Sequence, residues 1–196
     1  MIREFVSMFA RLTVLTVILL GAGSLVATEA QVQKVQFDLV EERGAPDPWF
    51  EVAATFNIKE GEEGNPRFAN EVVVSFSFAV REKGRERDFR FYSAEAIYPT
   101  LEVGRHVARF YLIPELTNRD EVKGEPFAFE IVLSAKGHVL ERFVSPNLET
   151  VEALRSFRSR LEAERSSGFR LQIDTPFAWY YPRDTPHPEL PRNSMK

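Results

Sequence analysis

The stretch Glu71–Val80, EVVVSFSFAV, constrains the fold more than any other part of the chain. Val72, Val74, Phe76, Phe78 and Val80 occupy every second position, with Val73, Ser75, Ser77 and Ala79 between them. A period of two is that of a β-strand, whose successive side chains point to opposite faces. One row is large and apolar; the other is small or hydroxylic. A strand with so little charge on either face belongs inside a sheet, with a neighbour on each side.

Other segments supply the neighbours. Residues 32–41 place Val35, Phe37 and Leu39 on one face and Lys34, Gln36 and Asp38 on the other. Residues 49–58 alternate Phe50, Val52, Ala54, Phe56 and Ile58 with Glu51, Ala53, Thr55 and Asn57, the pattern of a strand with one wet face. Residues 88–98 mix their parity: Phe89 and Phe91 share one face, Tyr92, Ala94, Ala96 and Tyr98 the other. A bulge near Ser93 reconciles the two. Residues 105–113 form a further strand, and 127–134 and 138–144 a hairpin about Lys136-Gly137. The Gly- and Pro-bearing stretches 42–48, 60–70 and 114–126 are loops.

Seven strands at this spacing predict a mainly β fold, an immunoglobulin-like sandwich of antiparallel strands. The 17 Phe residues suit such a core. There is no Cys, so the Cys…Trp…Cys signature of an antibody domain is absent, and disulfides and Cys-ligated zinc are excluded.

The pattern changes at Ser145. Leu148, Val151, Leu154, Phe157 and Leu161 recur at threes and fours, which predicts a helix over 146–167. Ser145 is its expected cap, Pro146 fits the first turn, and Gly168 ends it. Such a helix either packs on the sandwich or docks onto a partner. Phe169, Leu171 and Ile173 make a short final strand. Then comes TPFAWYY, Thr175–Tyr181, which is core if tucked onto its own sandwich, the favoured reading, and a contact site if exposed, and a tail with Pro182, Pro186, Pro188 and Pro191.

The N-terminus has a different purpose. Arg3 and Arg11 precede an apolar run, Leu12–Ala27, followed by small residues at Ala27 and Ala30. This is the form of a Sec signal peptide, residues 1–30, cut after Ala30 or after Ala27. The competing reading is an uncleaved membrane anchor; the run falls short of the roughly 20 residues of a spanning helix, which favours cleavage, with no stable membrane span expected after it. The expected organisation is signal peptide 1–30, sandwich with its helix 31–174, and aromatic then proline-rich tail 175–196. A periplasmic, cell-surface or extracellular location follows.

Chemistry is hard to find in the sequence. His106, His138 and His187 are scattered, without metal-ligand spacing, and no nucleophile elbow or phosphate-binding loop occurs. Glu60, Glu62 and Glu63 lack the spacing of a calcium loop. Glu95 and Glu130, each within a strand, are the only carboxylates to name for a hydrolytic pair, and a charge on a wet face explains both. No metal, cofactor or catalytic residue is assigned. The net charge of −4 has none of the basic footprint of a nucleic-acid binder.

Three segments, WFEVAATF (Trp49–Phe56), NEVVVSFSFAV (Asn70–Val80) and TPFAWYYPRD (Thr175–Asp184), carry a resemblance. With them the chain resembles the pilus-like, immunoglobulin-fold proteins encoded near type IV pilus genes in verrucomicrobial bacteria. The resemblance implies export and association with a pilus or cell-surface apparatus, and it implies no catalytic residue. One departure concerns processing: a type IV prepilin is cut ahead of its apolar run, whereas here Glu29 lies behind the run. An accessory or independently secreted role therefore fits better than a standard pilin subunit.

The leading expectation is a non-enzymatic interaction or structural protein. It would bind other surface or pilus proteins, or further copies of itself, through an edge strand or through Phe177, Trp179, Tyr180 and Tyr181. The alternative is a carbohydrate-binding module that stacks Trp49, Trp179, Tyr180 and Tyr181 on a glycan.

Overall fold

The computed structural model describes residues 28–62, 64–82, 85–179 and 185–188. The signal segment lies outside the described residues, except for its last three positions. In chain order the strands are β1 (Glu29–Val40), β2 (Trp49–Glu60), β3 (Phe68–Glu82), β4 (Arg85–Glu102) and β5 (Gly104–Leu112). A short helix α1 (Pro114–Arg119) precedes β6 (Ala128–Ala135) and β7 (His138–Val144). Helix α2 (Val151–Glu164), β8 (Arg165–Ser166) and β9 (Phe169–Leu171) follow.

Two sheets form, ordered β1-β2-β5-β9 and β7-β6-β3-β4-β8. All pairings among β1–β7 are antiparallel, and only the two-residue β8 runs parallel to its neighbour β4. The connectivity β1-β2-β5 against β7-β6-β3 is that of the immunoglobulin sandwich, A-B-E against G-F-C. Strand β4 stays beside β3, and β9 lies where the D strand lies in the constant-type domain.

The opening motif is the centre it was expected to be. Strand β3 pairs with β4 on one side and β6 on the other. Its even row is buried between the sheets, where Phe76 meets the rings of Phe37, Phe78, Phe110, Phe129 and Phe169 within 6.3 Å. Such ring pairs add to the burial of apolar area that drives folding.

Four expectations are corrected. First, the register of β3 with β4 is unbroken at Ser93. The parity of β4 is mixed because both faces are buried: Tyr92, Ala96 and Tyr98 face the core, while Phe91 faces outward beneath Phe157 of α2.

Second, the outer face of β2 is dry over most of its length and wet only at the end that carries Asn57 and Lys59. Glu51, Ala53 and Thr55 are buried, because β2 is central in its sheet and the C-terminal segment lies over its end.

Third, the predicted helix is two elements. Pro146–Leu148 is a 3₁₀ turn, and α2 begins only after Thr150, whose hydroxyl accepts from the Ala153 N–H at 3.2 Å. Ser145 caps nothing; its hydroxyl accepts from the Phe129 N–H. Glycine at 168 does not end α2, which is followed by β8. It sits at φ +100°, where a Cβ would lie 2.5 Å from Leu116, and its carbonyl receives the Ile113 N–H.

Fourth, the 114–126 loop contains α1, opened by Pro114 at the first turn.

Candidate interaction surface

Each sheet carries a second apolar layer on its outer face. The 3₁₀ turn and helix α2 cover the β3–β4–β6 side, Leu148 from the turn and Leu154, Phe157 and Leu161 from the helix lying over Ala79, Phe91 and Ala128. The opposite sheet holds a smaller group in which Phe177 inserts between Trp49, ring centroids 5.9 Å apart, and Tyr111, at 4.9 Å. Below it, the Arg109 guanidinium donates to Glu51 at 2.7 Å, the Tyr111 hydroxyl donates to Glu51 at 3.1 Å, and Arg109 reaches the Thr185 hydroxyl at 3.3 Å. The C-terminal segment is therefore fastened to the outer face of β2 and β5 at two points.

This divides the aromatic motif. Phe177 is 6% exposed and belongs to the fold, whereas Trp179 is 89% exposed. Tyr180 and Tyr181 lie outside the described residues. Trp49 is buried, so it offers no face to a sugar ring.

The candidate carboxylates do not form a pair. Glu95 is exposed opposite Ser75 on β4. Glu130, opposite Ser77 on β6, is buried and joined to Arg142 at 2.9 Å and to Arg158. Its hydrogen bond holds the Arg158 guanidinium more firmly protonated than usual. Glu130 thus ties α2 to the sheet. His106 is half-buried against Phe56, with its Nε2 2.7 Å from the Glu102 carbonyl, while His138 and His187 are exposed. Among the described residues no three His, Asp or Glu side chains converge as metal ligands.

Glu62, in the loop before β3, accepts from the Asn70 N–H at 2.9 Å and from Lys136 at 2.5 Å. The Lys136 hydrogen bond holds its carboxyl below the ordinary carboxylate range. Tyr92 and Tyr98 are pushed the other way, chiefly by burial, and Tyr92 also bonds Asp120. These are structural ties.

The edges of the sandwich are more informative. On one side the sheets end in β8 and β9, of two and three residues, and the longer β4 carries Pro99 beyond the stretch β8 covers. Short strands and proline both blunt an edge. On the other side the sheets end in β1 and β7. There the inward-pointing Glu141 of β7 reaches across and accepts the Val32 N–H, occupying the β1 edge beside its bulge. Strand β7 itself pairs only with β6 among the described residues.

Two large apolar side chains on β7 are open to solvent: Val139, 55% exposed, and Phe143, 38% exposed. The register places them on opposite faces, Val139 across from Ser134 and Phe143 across from Ile131. The sequence pattern did not single them out. His138–Val144 does not alternate, because a bulge leaves Leu140 without a partner opposite. That broken alternation was the available signal of an irregular edge.

No protein-family model matches the chain, and no curated protein matches it. Among solved structures, one from Akkermansia muciniphila matches with a TM-score of 0.65 at 16% sequence identity, over 84% of this chain and 95% of that one. The likeness shows a shared sandwich fold across nearly the whole of the neighbour.

Proposed function

We propose that this is an exported, non-enzymatic surface protein associated with a pilus apparatus, and that it binds its partner by strand addition at β7. The observation that carries the binding mode is the bare β7 edge with an exposed apolar side chain on each face. An added strand takes main-chain hydrogen bonds from such an edge and covers alternate side chains on both faces. Association with a pilus is supported by the resemblance of the three sequence segments, and the sandwich fold they imply is shared with the solved protein from Akkermansia muciniphila. Export is supported by the form of residues 1–30.

The test is capture of pilus components from envelope extracts of the producing cell. Val139→Lys places a charge on the outer face of the edge and leaves the core face of β6 untouched, with Phe143, which stacks on the buried Phe129 of β6, kept in place. Capture falls at least tenfold in this variant while its near-ultraviolet circular dichroism stays that of the parent; undiminished capture contradicts the proposal. A second reading rests on Trp179, whose 89% exposure suits an aromatic anchor for a partner or a glycan. If Trp179→Ala alone abolishes capture, the C-terminal segment is the contact.

A further inference from the structure

The seat of α2 is not filled. Where the helix crosses the sheet, Ala79 of β3 and Ala128 of β6 face each other in register, and Ala153 of α2 lies above them. Three small side chains meeting at one place leave a cleft of about 200 Å³. Its walls are the rings of Phe89, Phe91, Phe127 and Phe157. A cavity of roughly 150 Å³ accommodates benzene, so this one holds a single aromatic ring with a short substituent. The walls are arranged to receive it, with Phe89 and Phe127 centroids 4.7 Å apart and Phe91 and Phe157 5.8 Å apart.

Among the described residues that line the cleft, Asn147, Ser156 and Arg160 are polar and Arg160 alone is charged. Arg160 lines it, its guanidinium 4.8 Å from the Phe91 ring centroid and 5.6 Å from that of Phe89. Arg81 stands over Phe127 at 4.6 Å. Among the described residues no carboxylate lines the cleft; Arg160 pairs with the solvent-exposed Glu164, one turn on. An apolar chamber with the Arg160 guanidinium at its wall favours a ligand that is apolar at one end and anionic at the other. Guanidinium recognises carboxylate in a bidentate, charge-assisted manner.

We infer that the cleft between α2 and the outer face of the β3–β6 pair binds a small aromatic monocarboxylate. The ring enters between the phenylalanines and the carboxylate meets Arg160, displacing Glu164. This site is separate from the β7 edge and stands whether or not the edge binds a partner.

The test is a titration of the full chain with 3-phenylpropionate and with its neutral amide, followed by ¹H–¹⁵N chemical-shift changes. The acid binds with shifts centred on α2, the amide binds at least tenfold more weakly, and added salt weakens the acid alone. Ala153→Phe, which fills the chamber, abolishes binding. Arg160→Gln lies at the surface and brings the acid down to the affinity of the amide, which keeps the test open if the filled variant does not fold. Equal binding of acid and amide, or no shifts up to about 10 mM acid, overturns the inference.

Discussion

Phe76 is the residue on which the core converges. It is fully buried and touches rings from β1, β3, β5, β6 and β9, so both sheets depend on it. Phe76→Ala should cost about 3–5 kcal/mol in urea unfolding, from lost transfer free energy and the cavity left behind. Phe76→Asp should give no folded protein, because an unpaired buried charge exceeds what a marginally stable domain withstands. A native-like Phe76→Asp variant would remove β3 from the centre of the account. At the surface, Glu62 makes a pH prediction. Its carboxyl is held below the ordinary carboxylate range by Lys136, so its contribution is present above the unfolded-chain pKa and lost as pH falls through the depressed value. Urea midpoints should therefore fall on acidification, and Glu62→Gln should flatten part of that slope. The effect is small, since Lys136 is half-exposed.

At the scale of elements, α2 shows what was legible and what was not. The apolar spacing of Leu154, Phe157 and Leu161 located the helix, but its start was hidden. Pro146 suits the first turn of a 3₁₀ or an α-helix equally, and nothing in the sequence says that the Phe129 N–H takes the Ser145 hydroxyl. The true cap is testable: Thr150→Ala should lower stability by about 1 kcal/mol through the lost Ala153 bond, seen in thermal or urea unfolding. An unchanged midpoint would show that tertiary packing alone holds the helix. Strand β4 was misread for a related reason. Phe91 out of phase with Tyr92 resembles a bulge when one face is assumed wet, but α2 makes that face dry. Local periodicity reports which positions are buried, not what buries them.

At the scale of the molecule, three apolar layers are stacked: the core between the sheets, the α2 seat on one outer face, and the Trp49–Tyr111–Phe177 group on the other. Seven strands at regular spacing made the sandwich legible, because alternation and turn residues are local signals. The candidate site was less so. Phe177 and Trp179 are two residues apart and look alike in sequence, yet one is packed on Trp49 and the other faces solvent. The exposure of β7 follows from its place at the end of a sheet order, which no single segment encodes. The central claim is that this edge takes up a partner strand. Hydrogen–deuterium exchange of the assembled against the free protein tests it most directly. New protection is expected of amides within His138–Val144, with 175–179 unchanged. Protection confined to 175–179, with the β7 amides exchanging as in the free protein, would contradict it.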